Sequence, residues 1–559
     1  MNHGYIIDVT TDKAQYYGGE TVNISVEYKI DTQATLVVDI IKDFDVIKSF
    51  EQAINPKDSE QIAAFTYTPE AYVWQGFGIE CHLKCEGEEL SLGTGAFDVV
   101  ENAKLCPRYG FISDFGQEDE GREEDVDWLR KLHINVVQFY DWMYRHEQLL
   151  PDEPYFDDAL GRKLSIKAVA QKVQACHRYN MKATAYGAIY AASKDFYESH
   201  RDWAMYDNRG VGISLATWLY LMDISPDSPW TAHISKEFAK AIKELDFDGI
   251  HLDTYGFPRK YFVGNEEGEL IDYADVVNPF IDQVRKHTDE AREDSLLIYN
   301  NVNNYPTHAV VHSVVDAVYV EVWAPSTTYR HLYEICHDIR TRCDKPIVLA
   351  AYIKPLHEEG SYEDKQATLL LASAVIFASG GHHLVMGGYQ GALHDPYYAD
   401  YSPIEDTAAI RRYYDHAVRY GHIFFDPALR DITMTQTGGI NDSIILEGCE
   451  CSTDPQAGKV WTLVKESKSH IVIHMVNLCG LEDDEWDTMK HPTNPVKNVT
   501  VKALIYDKIQ SIHVVSPDAQ PATTQPVAYE SMQADQGNAT VFTVPEVNMW
   551  TSVIITKDV

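Results

Sequence analysis

The stretch FDGIHLDTYG, residues 247 to 256, is an apolar run brought to a stop by a carboxylate, Asp253, and the turn residues Tyr255 and Gly256. A short run of this kind is the pattern of a strand buried on both faces, as a parallel sheet requires. Seven more lie around it: YGFISDF (109 to 115), VVQFYDW (136 to 142), ATAYGAIYA (183 to 191), LLIYNNV (296 to 302), AVYVEVW (317 to 323), IVLAAYI (347 to 353) and HHLVMGG (382 to 388). Stretches long enough for a helix separate them. DEAREDS closes one helix before the fifth run, YRHLYEICHDIRTR precedes the seventh, and EDKQATLLLASAVIFASGG precedes the eighth with glycine at its end. Eight strands alternating with helices predict an α/β fold of the (β/α)8 barrel type, over residues 104 to 428.

Outward from the barrel the pattern changes. Residues 1 to 103 alternate β-rich runs such as TVNISVEYKI, TLVVDIIKDF and GIECHLKC with turn clusters, which predicts an N-terminal immunoglobulin-like β-sandwich. Residues 429 to 559 return to β-type alternation in KVWTLVKES, SHIVIHMVNL, VTVKALIY and WTSVIITKD, predicting a C-terminal antiparallel β-domain. The longest connection inside the barrel, from about 192 to 248, is expected to be an excursion at the end of the third strand that walls a cleft.

The totals exclude several classes. A net charge of −38, from 85 acidic and 47 basic side chains, repels nucleic acid phosphates and anionic membrane surfaces, so neither is expected as a partner. A neutral sugar meets no such barrier, and 35 Tyr and 10 Trp provide flat apolar faces with polar tips. The nine cysteines are scattered and odd in number, which argues against a disulfide framework and for a reducing compartment. The first residues, MNHGYIIDVTTDK, lack a basic segment followed by an apolar one, and no run is long enough to span a bilayer. A cytoplasmic protein is expected, or a secreted one if a leader has been removed.

In a β/α barrel the chemistry sits at the C-terminal ends of the strands. The carboxylates there are Asp114, Asp141, Asp253 and Glu321. Asp253 ends a fully apolar strand and points to the barrel mouth; the plainer alternative is a helix cap or a structural acceptor. Glu321 interrupts AVYVEVW, and an unpaired carboxylate buried in a strand needs either a purpose or an ion pair with a neighbouring helix. Two carboxylates reaching one cleft, one ionised and one protonated, are what glycosidic cleavage needs. A spacing of roughly 5 to 5.5 Å belongs to the retaining route, and a wider one to the inverting route.

The stretches VTTDKAQYYGGETV, YGFISDF, NVVQFYDWMYRH, ATAYGAIYAA, FDGIHLDTYG, YVEVW and DPYY (395 to 398) together resemble, in order, the blocks of glycoside hydrolase family 66, the dextranases and cycloisomaltooligosaccharide glucanotransferases. The resemblance implies a retaining mechanism on α-1,6-linked glucan or isomalto-oligosaccharides, with Asp253 as nucleophile, Glu321 as general acid/base, and no cofactor or metal. It further implies that Tyr140, Asp141, Tyr186 and Tyr190 hold the sugar. Trp323, two residues beyond Glu321, is expected to be a stacking platform, and Asp395 and Tyr397 to border the cleft. The family's glucanotransferases carry a module inserted in the barrel region for which this chain has no room. Endo-hydrolysis of the dextranase kind is therefore expected ahead of cyclisation or the opening of cyclic isomaltosides.

Other signals are set aside. The run SGGHHLVMGGYQGALHD lacks the lysine of a phosphate-binding loop, and HEEG at 357 lacks the second histidine of a zinc protease. Lys354, just beyond the seventh run, is the lone lysine near a strand end that an aldolase would need. A binding protein that has kept the barrel without catalysis is the alternative of a different class; the two intact carboxylates argue against it.

Overall fold

A computed structural model describes residues 4–264, 268–397, 401–436 and 442–558. The eight apolar runs form eight parallel strands: β1 (Tyr109–Ile112), β2 (Val136–Phe139), β3 (Lys182–Ala188), β4 (Gly249–Asp253), β5 (Leu296–Val302), β6 (Ala317–Glu321), β7 (Ile347–Ala350) and β8 (His382–Leu384). They stand side by side in chain order in one sheet. A bridge between Phe111 and Gly387, with the Phe111 amide 3.1 Å from the Met386 carbonyl, brings β1 against the end of β8, so the barrel is nearly closed. Most strands end before the apolar run does, because the run continues into the loop above the barrel.

Helices return the chain between strands: Glu124–Lys131, Ile166–Arg178, Pro229–Leu245, Tyr273–Ala291, Tyr329–Arg342 and Tyr362–Ser379, with Thr407–Arg419 after β8. Gly380, at φ 93°, stops the helix before β8 in the left-handed conformation that glycine adopts without strain. Between β5 and β6 the return is a single turn, Thr307–Val310, since the short span from Val302 to Ala317 leaves no room for more.

Alternation along each strand decides what the barrel mouth contains. Val137, Phe139, Ile250, Leu252, Leu297, Val318 and Val320 point outward and pack in a core with the helices. Their neighbours, among them Tyr109, Phe111, Ile298, Tyr319 and Val348, form a separate cluster inside the barrel. With a period of two, the inward series continue upward from His251 to Asp253, from Ile298 to Asn300, and from Tyr319 to Glu321 and Trp323. The register sets Asn300 opposite Tyr319 and Val302 opposite Glu321, while Leu252 pairs with Tyr299, so Asp253 and Glu321 flank Asn300 at the top of the barrel.

The excursion after β3 folds into small sheets. Ala191–Ser193, Leu219–Leu221 and Ser214–Leu215 form one, and Met205–Tyr206 joins Lys260–Val263 and Glu269–Asp272 from the loop after β4 in another. Before the barrel, a three-stranded and a five-stranded sheet enclose Ile24, Leu36, Val38, Phe77 and Phe97. After it, a seven-stranded and a four-stranded sheet enclose Val464, Ile473, Val501 and Phe542. Asp45–Ile54, an edge strand of the N-terminal set, escapes sequence reading because its side chains are nearly all exposed and charged or polar residues interrupt its alternation. Among the described residues, no helix is long and apolar enough to cross a membrane.

Candidate active site

Asp253 is the last residue of β4, and its two oxygens are held by uncharged donors. Tyr186 Oη, from β3, donates to Oδ2 at 2.7 Å, and Asn300 Nδ2, from β5, donates to Oδ1 at 2.8 Å. Glu321, the last residue of β6, is 8% exposed. The same Asn300 nitrogen donates to its Oε2 at 3.1 Å, and Trp323 and Tyr352 also hydrogen-bond its carboxylate. One amide therefore ties the two acids together. Neither carboxylate forms an ion pair among the described residues, so the expectation that Glu321 might merely pair with a neighbouring helix finds no partner there.

Without a counter-charge, burial governs the protonation of both. Burial raises the Asp253 pKa, against the opposing hydrogen bonds from Asn300, Tyr186 and the Thr254 amide. Burial, and then the charge of Asp253, raises Glu321 from 4.5 to about 7, against the bonds from Asn300, Trp323 and Tyr352. The pair can therefore hold one proton near neutrality, with Glu321 the better keeper of it.

Asp141, just above β2, has φ 48°, a left-handed backbone that aspartate tolerates better than most residues. Burial raises its pKa to about 7; Arg162, whose Nη2 stands 4.0 Å from Oδ2, lowers it, and Asp158 and Asp253 raise it. Tyr140, half-buried, packs edge-on against Tyr186 with ring centroids 4.9 Å apart. These three line a cavity of about 590 Å3 with Tyr255, Trp218 and Tyr397. Leu215, Trp218 and Leu219 come from the excursion after β3, which thus forms one wall. Tyr397 is 59% exposed at the rim. Asp395, half-buried, is not among the described residues that line the cavity, and Tyr398, the end of the DPYY segment, lies outside the described residues.

Tyr190 was expected to hold the sugar, but it is fully buried: its hydroxyl accepts the Tyr255 amide and its ring packs edge-on against Tyr255. It has no surface to offer a ligand and instead fixes the loop that follows Asp253. Trp323 is half-buried as a platform should be, yet Lys354 Nζ lies 5.3 Å above its ring and its indole N–H is turned to Glu321. Of the remaining strand-end acids, Asp114 lends its carbonyl to Lys172 Nζ at 2.6 Å on the far side of β1. Sequence reasoning missed Asn300, Tyr255 and Tyr352. Asn300 carried a legible signal, a polar residue on the inward-facing phase of the apolar strand LLIYNNV. Among the described residues, no group of three His, Cys, Asp or Glu side chains is gathered as a metal site.

The model of glycosyl hydrolase family 66 matches residues 11–554. A cycloisomaltooligosaccharide glucanotransferase of Niallia circulans is 23% identical over 716 aligned residues, covering 99% of this chain and 72% of that protein. Among solved structures, a Paenibacillus sp. cycloisomaltooligosaccharide glucanotransferase complexed with cycloisomaltoheptaose superposes with a TM-score of 0.89 at 22% identity, covering 99% of this chain and all of that one. A maltogenic α-amylase from Thermotoga neapolitana matches more distantly, with a TM-score of 0.52 at 12% identity over 81% of this chain.

Proposed function

The chain belongs to glycosyl hydrolase family 66, and we propose that it is a retaining glucanotransferase acting on α-1,6-linked glucan, making or opening cyclic isomalto-oligosaccharides. The observation that carries the proposal is the Asn300 amide shared by Asp253 and Glu321, which gathers the two carboxylates at one point of the barrel mouth, as a double-displacement route needs. Glu321, protonated, gives its proton to the glycosidic oxygen as Asp253 attacks the anomeric carbon, forming a β-glucosyl ester. Glu321 then takes the proton of an incoming 6-hydroxyl, and the ester breaks to form a new α-1,6 bond. Water in place of the hydroxyl gives hydrolysis. Tyr186 and Asn300 hold Asp253 in line throughout, and Asp141, Tyr140 and Tyr255 bound the sugar at the cleaved bond.

This revises the sequence-based preference for endo-hydrolysis, because the relatives matched along nearly the whole chain are glucanotransferases. One observation keeps dextranase-like hydrolysis as a second reading. The relatives align over 716 positions against a chain of 559, so they contain sequence this one lacks. We also read the chain as three units, an immunoglobulin-like sandwich over 1–103, the barrel over 104–428 and a β-rich unit over 429–559. The separate apolar cores of the flanking sheets support that division.

Product analysis tests the function. Wild type is incubated with dextran, linear isomalto-oligosaccharides and cycloisomaltoheptaose, with Asp253→Asn alongside and starch as control. Cyclic or elongated products support transfer, and shorter linear products alone support the hydrolytic reading. Inverted anomeric configuration in the first-formed product, read by proton NMR, defeats both.

A further inference from the structure

A second cavity, of about 600 Å3, lies at the opposite end of the barrel, where the helices ending at Arg342 and Ser379 lead into β7 and β8 and meet the C-terminal strand Val460–Glu466. Arg340, Gly380, Asp431 and Lys465 are among the residues that line it. Lys465 is 4% exposed, yet its ammonium takes part in no hydrogen bond or ion pair among the described residues. Its Nζ stands over Gly380, where an added Cβ would lie 3.2 Å from it. Arg340 is in the same condition: its Nη1 is enclosed with no hydrogen-bond partner, and no carboxylate reaches its guanidinium within ion-pair distance among the described residues.

Among the described residues, the nearby charged groups make no direct pair with either cation. Arg430 is committed to Asp344 at 2.7 Å. Asp431 acts on Lys465 from a distance, but its oxygens accept from Tyr333 Oη at 3.2 Å and the Thr433 amide at 2.9 Å. Burial lowers the Lys465 pKa to about 8, which leaves the ammonium charged at pH 7. Asp426 and Asp431 also line the cavity, but neither carboxylate pairs directly with the Lys465 ammonium or the Arg340 guanidinium among the described residues, and an enclosed cation without a direct partner destabilises the fold. In a chain with 85 acidic side chains such a gap is not for want of carboxylates. Arginine's planar fork and lysine's point charge are together a common means of gripping tetrahedral oxyanions.

We propose that this cavity binds a small phosphate-type oxyanion, free or carried on a sugar, between Lys465 and Arg340. The ligand would join the base of the barrel to the C-terminal sheet and act on stability, far from Asp253.

The test is thermal unfolding of the full chain in increasing inorganic phosphate, with sodium chloride matching the ionic strength, and in parallel with glucose 6-phosphate. A specific site raises Tm with the logarithm of ligand concentration once that exceeds Kd. Lys465→Met and Arg340→Gln should each lose the rise, and Lys465→Met should unfold at a higher temperature than wild type when no phosphate is present. A larger response to glucose 6-phosphate than to phosphate assigns the ligand to a phosphorylated sugar, and the reverse to the free ion. A wild-type Tm that follows chloride and phosphate equally overturns the proposal, as does a phosphate response that survives in the variants. Should Lys465→Met fail to fold, Arg340→Gln and the wild-type titration decide the matter alone.

Discussion

Strand β4 has an aspartate at each end, and the two are buried in opposite ways. Asp248, immediately before the strand, has a side chain 2% exposed and is held by two cations, Lys182 Nζ at 3.0 Å and Arg292 Nη2 at 3.2 Å, and by His177 Nε2 at 2.8 Å. Burial alone would raise its pKa, but these partners, His177 first, bring it below the ordinary carboxylate value. Asp253, five residues on, meets only a phenol and an amide, and its pKa is raised. Around Asp248 the lower end of the barrel matches a buried charge with opposite ones and gains stability, whereas at the upper end Asp253 and Glu321 are left without a counter-charge, the condition in which carboxylates are tuned for chemistry.

Exchanging oxygen for nitrogen at the two ends breaks the comparison most sharply. Asp253→Asn should lower kcat by about four orders of magnitude or more, since it removes the proposed nucleophile, and Glu321→Gln should do nearly as much on unactivated substrates. Asp248→Asn should leave kcat almost unchanged but deprive Lys182 and Arg292 of their counter-charge, at a cost of about 3 kcal/mol in stability. Steady-state kinetics beside thermal unfolding separates the two effects. Equal loss of activity at both positions would dissolve the distinction.

Asn300 ranks next. Replacing it with alanine removes a bond that lowers the pKa of both acids. The expected loss in kcat is about 100-fold, comparable to that of deleting one preorganised donor. The pH profile of kcat/KM should also move as a whole. The acid limb, set by ionisation of Asp253, and the alkaline limb, set near pH 7 by Glu321, both shift to higher pH. A simple fall in rate with the limbs unmoved would reduce Asn300 to packing.

Stability gives a third contrast. Glu321 has a folded-state pKa of about 7 against 4.5 ordinarily, so it holds its proton better folded than unfolded. Its contribution is therefore fully present below pH 4.5 and is lost as pH rises towards 7. Glu321→Gln, which cannot ionise, should match wild type at pH 4 and exceed it at pH 8 by on the order of 3 kcal/mol. Asp248 has the opposite sign. Its stabilisation is present above the ordinary carboxylate pKa and is lost as pH falls through the lower folded value, so Asp248→Asn should matter at pH 7 and cease to matter in strong acid. Melting temperatures across pH read both.

The barrel was legible because its strands are apolar on both faces and each run ends in a turn or a carboxylate, a pattern that survives without knowledge of neighbours. Asp253 and Glu321 were legible for the same reason, as charges that interrupt or end such runs. What joins them was not. The Asn300 bridge depends on the stagger of β5 against β4 and β6, which pairs Leu252 with Tyr299 and Val302 with Glu321, and no single strand records its own register. The exposed edge strand Asp45–Ile54 was lost because burial is what makes a strand readable. The choice between transfer and hydrolysis, where the relatives favour transfer, was not legible because it depends on the walls of the cleft, which are assembled from loops far apart in the chain.

The smallest effect is expected from two tyrosines that strand β3 and its loop supply, which the sequence treats alike. Tyr186 donates directly to Asp253 Oδ2, while Tyr190 accepts the amide of Tyr255 and reaches no cleft surface. Tyr186→Phe should lower kcat by roughly 10-fold to 100-fold and raise the acid limb of the pH profile, because a bond to the ionised carboxylate is lost. Tyr190→Phe removes no contact with a reacting group. It should lower stability by about 1 kcal/mol, the usual worth of one hydrogen bond, with kcat within about threefold of wild type and the profile unmoved. If Tyr190→Phe shifts the profile as Tyr186→Phe does, the loop after β4 is not merely held by Tyr190. It would then be part of how Asp253 is kept in its unpaired state, and the line between chemistry and support at the barrel mouth would have to be drawn one residue further out.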